Sequence, residues 1–308
     1  MIDDYLEALI IDLEDTLDTI NKLGLRVTTI YIGGGTPTTL SHTQLERLLK
    51  KIGEHINVSE LLEFTLEAGR PDTISREKLE VAKAHGVTRV SVNPQTLNDD
   101  VLREIGRRHT VDDFFKAFAL AKEIGFRDIN VDLIAGLPGD DFKNFSETVD
   151  RIIDLAPTNI TVHTFCVKKA SDALRNNSSV YSLSGGDAAK SVSYSQLKTK
   201  FAGYKPYYMY RQKNTVGNLE NVGFAIEGHE SLYNVYMMEE FQTIFAVGAG
   251  AVTKLVKFNG PIGSDALIER LFRPKYPYEY LAEESDEGGS ERRAKNKRAI
   301  FEFFGYEE

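Results

Sequence analysis

The chain has very little cysteine, no tryptophan, a shortage of basic residues and no long apolar run. Cys166 is the only cysteine in 308 residues, so this chain cannot complete an internal disulfide or a cysteine-ligated metal or cluster. No apolar stretch reaches the roughly 18–20 residues that a membrane span needs. The N-terminal sequence, MIDDYLEALI, lacks the basic flank and apolar core of a signal peptide. These absences predict a cytoplasmic protein that crosses no membrane.

The charge balance argues against nucleic-acid binding as a general function. There are 46 acidic and 37 basic side chains, which gives a net charge of -9, whereas phosphate recognition favours a basic face. Small anions need only a local basic pocket and are not excluded. With 42% apolar and 27% charged residues, the composition is that of a globular protein of one large domain or two modest ones.

Apolar runs alternate with helical patterns five times before residue 170, which predicts an α/β fold. These runs end at glycine or polar residues and read as near-continuously apolar strands, as expected for parallel strands covered on both faces. They lie at 27–34, 61–69, 87–94, 128–139 and 159–167. The fold is then a complete or partial (β/α) barrel or an open doubly wound sheet. Residues 171–308 predict a smaller α+β region, in which the charge-rich segment 283–298 is expected to be a mobile linker.

Polar and glycine clusters follow all five predicted strands. They are GGGTP (33–37), EAG (67–69), NPQ (93–95), DLIAGLPG (132–139) and HTFC (163–166). In both candidate folds the carboxyl ends of parallel strands carry the ligand. Five clusters at one edge therefore predict a shared binding site there.

Each cluster also has a purely structural interpretation. GGGTP could be an ordinary strand-to-helix turn, and it lacks the Gly-Lys-Ser/Thr of a phosphate-binding P-loop. Glu67 and Asp132 could pair with an arginine such as Arg70, Arg89 or Arg107 instead of a ligand. The histidines show no metal-ligand spacing and are expected to be structural. The glycines at 248–250 are expected to form a packing loop.

Several strings together resemble one enzyme family. In chain order they are YIGGGTPTTL, LEAGRPDTI, RVSVNPQT, LREIGRRHT, GFRDINVDLIAGLPG and GAGAVTK. They are similar to the oxygen-independent coproporphyrinogen III dehydrogenase branch of the radical S-adenosylmethionine (SAM) enzymes, over most of residues 1–260. The string ENVGFAIEGHESLYN is most similar to the dehydrogenase-like proteins of anaerobic and Gram-positive bacteria.

The resemblance implies a partial (β/α) barrel over residues 1–170, a C-terminal substrate-side region and SAM as cofactor. The reaction it implies is the oxidative decarboxylation of propionates to vinyl groups in haem biosynthesis, with a tetrapyrrole substrate and flavodoxin or ferredoxin as electron donor. It implies that Gly34, Gly35 and Thr36 bind the SAM amino group. It further assigns Glu67 to SAM, Gln95 and Asp132 to the ribose, Arg107 to the SAM carboxylate and Cys166 to the surroundings of the adenine.

The chain departs from this family in one respect. The family carries a CxxxCxxC loop for a four-iron four-sulfur cluster after its first strand, and this chain has neither the loop nor enough cysteines. The expectation is a fragment of a radical SAM enzyme, lacking the first barrel strand and inactive by itself. One alternative is a non-enzymatic haem or tetrapyrrole carrier. Another is an ordinary barrel enzyme for a phosphorylated metabolite.

Overall fold

The computed structural model describes residues 2–166, 185–285 and 287–306, which form two compact units. The first unit contains Met1–Thr28, His42–Leu62 and Glu239–Glu308, and the second contains Thr29–Ser41 and Glu63–Met238. This division brings segments from both ends of the chain into one unit. The predicted boundary at residue 170, by contrast, is a single cut along the chain, and it stays a prediction.

A seven-stranded sheet forms the centre of the second unit. Its order is β1-β2-β3-β4-β5-β7-β6, and the first five strands are parallel. Their bounds are Thr29–Ile32 (β1), Glu63–Glu67 (β2), Arg89–Ser91 (β3), Asp128–Ala135 (β4) and Asn159–Thr164 (β5). The predicted α/β class and the five predicted strands are confirmed. The last two strands, Lys205–Tyr210 (β6) and Asn221–Ala225 (β7), pair antiparallel and complete an open, partial barrel.

The two faces of this sheet differ in polarity. Phe64, Leu66, Val131 and Leu133 are fully buried on one face. Successive side chains of a strand point to opposite faces. Thr65 and Glu67 on β2 and Asp132 on β4 alternate with these apolar residues and form part of a polar inner face. The prediction of near-continuously apolar strands covered on both faces is therefore wrong. The inner face is polar because it lines a cavity.

Ten helices occur in the described residues. They are Ile2–Lys22 (α1), His42–His55 (α2), Arg76–Ala84 (α3), Asp99–Glu104 (α4), Val111–Ile124 (α5), Phe142–Leu155 (α6), Gly185–Phe201 (α7), Leu232–Glu239 (α8), Pro277–Ser285 (α9) and Glu287–Phe304 (α10). Local side chains and a glycine define several helix ends: Ser75 accepts from the Lys78 N–H, Asn98 caps α4, and Gly125 ends α5 in the left-handed region at φ 81°. None of the described helices is long and apolar enough to span a bilayer.

A buried acid holds the first unit together. The Asp12 carboxylate is fully buried and accepts hydrogen bonds from Arg273 at 2.5 Å, Tyr280 at 3.1 Å and the backbone N–H of Gly248 at 3.1 Å. The glycine loop at 248–250 is thus part of this packing, as the sequence predicts. Alongside it, Val252–Phe258 (β8) and Ala266–Phe272 (β9) form an antiparallel pair.

The charge-rich segment 283–298 is not the linker that its composition predicts. Most of it belongs to helix α10. Arg293 pairs with Asp15 at 2.9 Å, and Ile300, Phe301 and Phe303 are buried. These apolar anchors at the end of the helix stabilise a segment whose charged half alone would favour disorder.

Candidate functional site

A polar cavity lies at the carboxyl ends of the parallel strands in the second unit. Its volume is about 310 Å³, and it is called the rim cavity below. The lining residues come from strands β2, β4 and β5, from the loops after β1, β2 and β3, and from the loop after α4. They are Gly34, Gly35, Thr36, Glu67, Gly69, Arg70, Asn93, Gln95, Arg107, Asp132 and His163.

The glycine loop after β1 gives the cavity one of its walls. Gly34 has φ 100°, a conformation that favours glycine. A Cβ on Gly33 would collide with the Tyr31 ring and with Glu67 Oε2. A Cβ on Gly35, by contrast, would meet nothing within 4 Å. Packing therefore explains the glycine at 33 and backbone conformation the one at 34, whereas nothing in the fold requires a glycine at 35.

Two carboxylates face the cavity in different protonation environments. Burial, followed by the charge of Asp132, raises the pKa of Glu67, although hydrogen bonds from the Tyr31 hydroxyl (3.2 Å) and the Gly34 N–H oppose that rise. Burial would also raise the pKa of Asp132, but contacts with His163, Asn130 and Thr161 outweigh it and hold that pKa below its ordinary value. In the described part of the chain neither carboxylate pairs with an arginine or lysine, so the predicted alternative of an internal salt bridge is not what the structure shows.

Arg107 supplies the opposite charge. Burial and then the neighbouring charge of Arg70 lower the pKa of Arg107, which still remains a cation. Arg70 is paired with Asp72 at 3.0 Å, whereas the Arg107 guanidinium forms no ion pair with any acid in the described residues. A partly buried cation without a partner favours a ligand that carries a carboxylate or another anion.

Gln95 sits on a strained turn after β3. Its φ is 69°, in the left-handed region that glutamine rarely adopts. The turn is fixed from both sides, because the Gln95 N–H donates to the Asp132 carbonyl (3.1 Å) and the Gln95 carbonyl accepts from the Ile134 N–H (2.9 Å). Nε2 of the buried His109 lies 3.2 Å from the carbonyl of Pro94. Such strain clusters at functional sites, where surrounding contacts hold it in place.

Paired substitutions at Gln95 test this backbone conformation. Asn tolerates a positive φ, so Gln95→Asn is expected to leave the free energy of unfolding within about 0.5 kcal/mol. A β-branched residue does not, so Gln95→Val is expected to lower it by about 2 kcal/mol. Urea unfolding followed by circular dichroism measures both. The same two substitutions at Gln196, exposed on α7, are the control and should differ by less than about 0.5 kcal/mol. Equal values for the two Gln95 variants would contradict the strained turn.

A second cavity of about 340 Å³ lies along the polar inner face of the sheet and is called the inner cavity below. Glu67, Asp132 and His163 line both cavities. Tyrosines contribute much of the remaining lining, from β1 (Tyr31) and from β6 (Tyr207, Tyr208 and Tyr210). The inner cavity is thus a hydroxyl-rich space directly adjoining the rim cavity.

The structure brings together seven of the eight residues that the sequence singles out. Gly34, Gly35, Thr36, Glu67, Gln95, Arg107 and Asp132 all line the rim cavity, while their individual roles stay predictions. Cys166 lines neither cavity, and its Sγ donates to the Lys213 carbonyl at 3.0 Å. Its place beside an adenine also stays a prediction.

Sequence reasoning placed His163 and Asn93 in the rim clusters without giving either a role, and it assigned no binding role to the tyrosines of β6. The Asn93 side chain accepts a hydrogen bond from the Asp132 backbone N–H at 3.2 Å and so ties β3 to β4 at the rim. For His163 a signal did exist, since it begins the polar cluster that follows its predicted strand, as Asp132 does one strand earlier, although it lies two residues farther along the sheet. The Cα register pairs Asp132 with Thr161 and Ile134 with His163.

The arrangement of charges sets the chemistry that the rim cavity can perform. It presents two carboxylates, one unpaired guanidinium, exposed glycine backbone and amide side chains. Such a set binds a zwitterion with hydroxyl groups: the acids accept from an ammonium and a diol, and the guanidinium accommodates a carboxylate. A phosphate dianion would be repelled by Glu67 and Asp132, which argues against the phosphorylated-metabolite alternative.

The residues do not fit a protein-held metal or cluster. In residues 2–166, 185–285 and 287–306 no three His, Cys, Asp or Glu side chains are grouped as metal ligands. The sequence as a whole has a single cysteine, whereas an iron–sulfur cluster needs several thiolates.

Residues 5–152 match the family model of the radical SAM superfamily. The chain is 37% identical over 300 residues to the oxygen-independent coproporphyrinogen-III oxidase-like protein HemZ of Bacillus subtilis, an alignment that covers 97% of this chain and 58% of that protein. It is 30% identical over 287 residues to the heme chaperone HemW of Haemophilus influenzae, covering 90% of this chain and 67% of the relative.

One solved structure is similar over nearly the whole chain. It is coproporphyrinogen III oxidase (HemN) from Escherichia coli, with a TM-score of 0.68 and 22% identity over 93% of this chain and 63% of that one. At this identity the likeness concerns the fold, and it agrees with the partial barrel described above. The chain thus spans about three fifths of the length of the Bacillus subtilis relative and of this solved chain.

Proposed function

The chain belongs to the radical SAM superfamily and, within it, to the oxygen-independent coproporphyrinogen III oxidase-like proteins, and we propose that it binds SAM in the rim cavity. SAM is a zwitterionic amino acid joined through a sulfonium to an adenosine. Glu67 and the glycine loop would hold its ammonium, Arg107 its carboxylate, and Asp132 with Gln95 its ribose hydroxyls.

One observation carries this proposal. In the described part of the chain no cationic side chain pairs with Glu67, only His163 faces Asp132, and no acid pairs with Arg107, yet all three line the same cavity. Uncompensated charges of both signs are costly unless a ligand pairs with them. SAM offers a partner for each.

Calorimetric titration with SAM and S-adenosylhomocysteine tests the proposal. The chain is expected to bind both with a stoichiometry of one. Asp132→Asn is expected to weaken S-adenosylhomocysteine about tenfold or more, because hydrogen bonds to a charged acceptor contribute about 1.5–3 kcal/mol. Glu67→Gln should weaken S-adenosylhomocysteine by a similar factor but leave adenosine, which lacks the amino-acid end, nearly unaffected.

Asp112→Asn is the matched control, since Asp112 is exposed on α5, pairs with Lys116 at 2.6 Å and lines neither cavity. It should bind both ligands as the unmodified chain does. The absence of saturable binding of either ligand at millimolar concentration would overturn the proposal.

Where a longer protein contains these residues, we propose for it the reaction that the family resemblance implies, the oxidative decarboxylation of tetrapyrrole propionates, with flavodoxin or ferredoxin as electron donor. Superfamily members use SAM with a four-iron four-sulfur cluster that supplies the reducing electron. Since the residues of this chain do not fit a cluster, we assign to it the binding of SAM and no redox step. By itself it is expected to be inactive as an oxidoreductase.

A second candidate function is that of a haem carrier. It is favoured by the relative from Haemophilus influenzae, which is named a heme chaperone. Titration with haem separates the two readings. Stoichiometric haem uptake without SAM binding would favour the carrier, whereas SAM binding without haem uptake would favour the enzyme.

A further inference from the structure

His163 lies between the two cavities, in contact with a tyrosine on one side and an acid on the other. Its Nδ1 is 3.1 Å from the Tyr210 hydroxyl, and its Nε2 is 3.7 Å from Oδ2 of Asp132. The second contact is longer than a hydrogen bond and acts electrostatically. The histidine and aspartate side chains are only 27% and 21% exposed, so water screens the contact weakly.

The neighbours of His163 determine which ring nitrogen carries the proton. A lone pair on Nε2 facing the Asp132 carboxylate would be repulsive, so Nε2 carries a hydrogen. In the neutral ring Nδ1 is then an acceptor, and the Tyr210 hydroxyl donates to it. Burial and then the charge of Asp132 raise the pKa of Tyr210 to about 12, so this hydroxyl keeps its proton. The Tyr210 hydroxyl therefore donates to His163, whose Nε2–H faces the Asp132 carboxylate at 3.7 Å.

Asp132 depends on this support because its surroundings otherwise disfavour its charge. The titratable groups that face it are Tyr31 from β1, Glu67 from β2, His163 from β5, and Tyr208 and Tyr210 from β6. Among these, His163 alone is able to carry a positive charge. The Asn130 amide adds a neutral hydrogen bond at 2.8 Å to the other carboxylate oxygen.

We propose that His163 is a positioning residue for ligand binding: oriented by Tyr210, it keeps Asp132 ionised and aimed so that the carboxylate accepts hydrogen bonds from a vicinal diol. The inference rests on the proposed binding of SAM and names the group of that ligand, the ribose diol, that His163 serves indirectly. From the sequence His163 is expected to be structural like the other histidines, and only its place at the end of β5 points to the rim.

The experiment compares adenosine with 2′-deoxyadenosine, each in competition with S-adenosylhomocysteine. Both nucleosides lack the amino-acid end, so Glu67 and Arg107 do not contribute. The unmodified chain is expected to prefer adenosine by about tenfold, the value of one hydrogen bond to a charged acceptor. In His163→Phe, which keeps a ring but has no nitrogen, this preference is expected to fall to about twofold or less. His163→Gln retains a donor toward Asp132 and should restore most of the preference.

A second measurement is the pH at which adenosine affinity is lost on acidification, called the acid limb below. If His163 had only a structural role, this pH would not change. Without His163 the first of the contacts that counteract the burial of Asp132 is lost, so the pKa of Asp132 rises. The affinity of His163→Phe is therefore expected to be lost at a higher pH on acidification than that of the unmodified chain. His42→Phe is the control, because His42 is exposed on α2 and lines neither cavity. It should change neither readout.

The outcomes separate this inference from the proposed function. If the unmodified chain does not bind S-adenosylhomocysteine, both are overturned. If it binds, but His163→Phe keeps the full preference for adenosine and the same acid limb, only the role of His163 is overturned. Should His163→Phe fail to fold, Tyr210→Phe decides, since it removes only the hydroxyl that orients the ring. That variant is expected to lose part of the preference, and an unchanged preference would overturn the inference.

Discussion

Replacement of Arg89 by methionine is expected to lower the free energy of unfolding by about 3–5 kcal/mol, the range for removing one partner of a buried ion pair. The Arg89 side chain is 3% exposed and lies between two buried acids, Glu63 at 3.2 Å and Asp128 at 3.5 Å. Methionine is a flexible apolar side chain that fills much of the same volume. The main cost is therefore the buried Glu63 carboxylate left without a cation, since Asp128 keeps Arg127 at 3.6 Å and His229 at 2.5 Å.

The effect should be large because the same cluster joins distant parts of the second unit. Arg89 also donates to the backbone carbonyl of His229 at 2.7 Å. Glu63 accepts from the Leu232 N–H at 2.9 Å, and Asp128 lies 2.5 Å from His229 Nδ1. Losing the arginine thus weakens the connection between the first ends of β2, β3 and β4 and the segment around residue 230.

Urea unfolding followed by circular dichroism measures the change. The matched control is Arg76→Met, since the Arg76 side chain is 47% exposed and pairs with Glu123 at 2.8 Å. Exposed ion pairs contribute up to about 1 kcal/mol, so the control should lie within that range. Similar losses for the two variants would contradict the assignment of Arg89 as the centre of a buried network.

The acid with which Arg89 pairs could not be predicted from the sequence. Arg89 is a plausible partner for Glu67 from the sequence, because both belong to neighbouring strands. The register instead pairs the Arg89 backbone with Thr65, and the side chain reaches Glu63 at the opposite end of β2 from the rim. Glu63 and Glu67 are four residues apart and so point to the same face. No local pattern tells which of the two is satisfied internally and which faces a ligand.

The rim could be predicted because its logic is general. Parallel strands end at a common edge, so Glu67 and Asp132, each near the end of an apolar run, had to lie close together if the strands were correct. That step required only strand positions, and glycine and polar residues marked the ends of the strands clearly.

The positions of the two antiparallel strands, β6 and β7, could not be predicted from the sequence in this way. β7 is a five-residue strand with Gly223 at its centre, which weakens any strand signal. The structure explains this glycine, because a Cβ there would collide with the Tyr208 ring of β6. The close approach of β6 and β7 depends on tertiary packing. The sequence shows only its consequence, a glycine at position 223.

Gly35→Ala is expected to weaken SAM and S-adenosylhomocysteine by about 10- to 100-fold without destabilising the chain. A Cβ at this position meets nothing within 4 Å, and its φ is not in the left-handed region, so the fold tolerates alanine. Loss of backbone freedom in the unfolded chain should even raise the free energy of unfolding by about 0.4–1 kcal/mol. A methyl group projecting into a ligand-contacting surface typically costs about 1–3 kcal/mol, which sets the loss of affinity.

Two other glycines, one adjacent to Gly35 and one in helix α2, serve as comparisons. Gly34→Ala should lower the free energy of unfolding by about 1–2 kcal/mol because its φ of 100° is strained for alanine. Gly53→Ala, in helix α2 with open space around its Cβ, should raise stability by about 0.5–1 kcal/mol and leave ligand affinity unchanged. Calorimetry measures the ligand affinity of the three variants, and urea unfolding measures their free energy of unfolding. The two measurements together separate effects on ligand recognition from effects on packing. If Gly35→Ala bound SAM as tightly as the unmodified chain, the glycine loop would not contact the ligand, and the ammonium would have to be held by Glu67 alone.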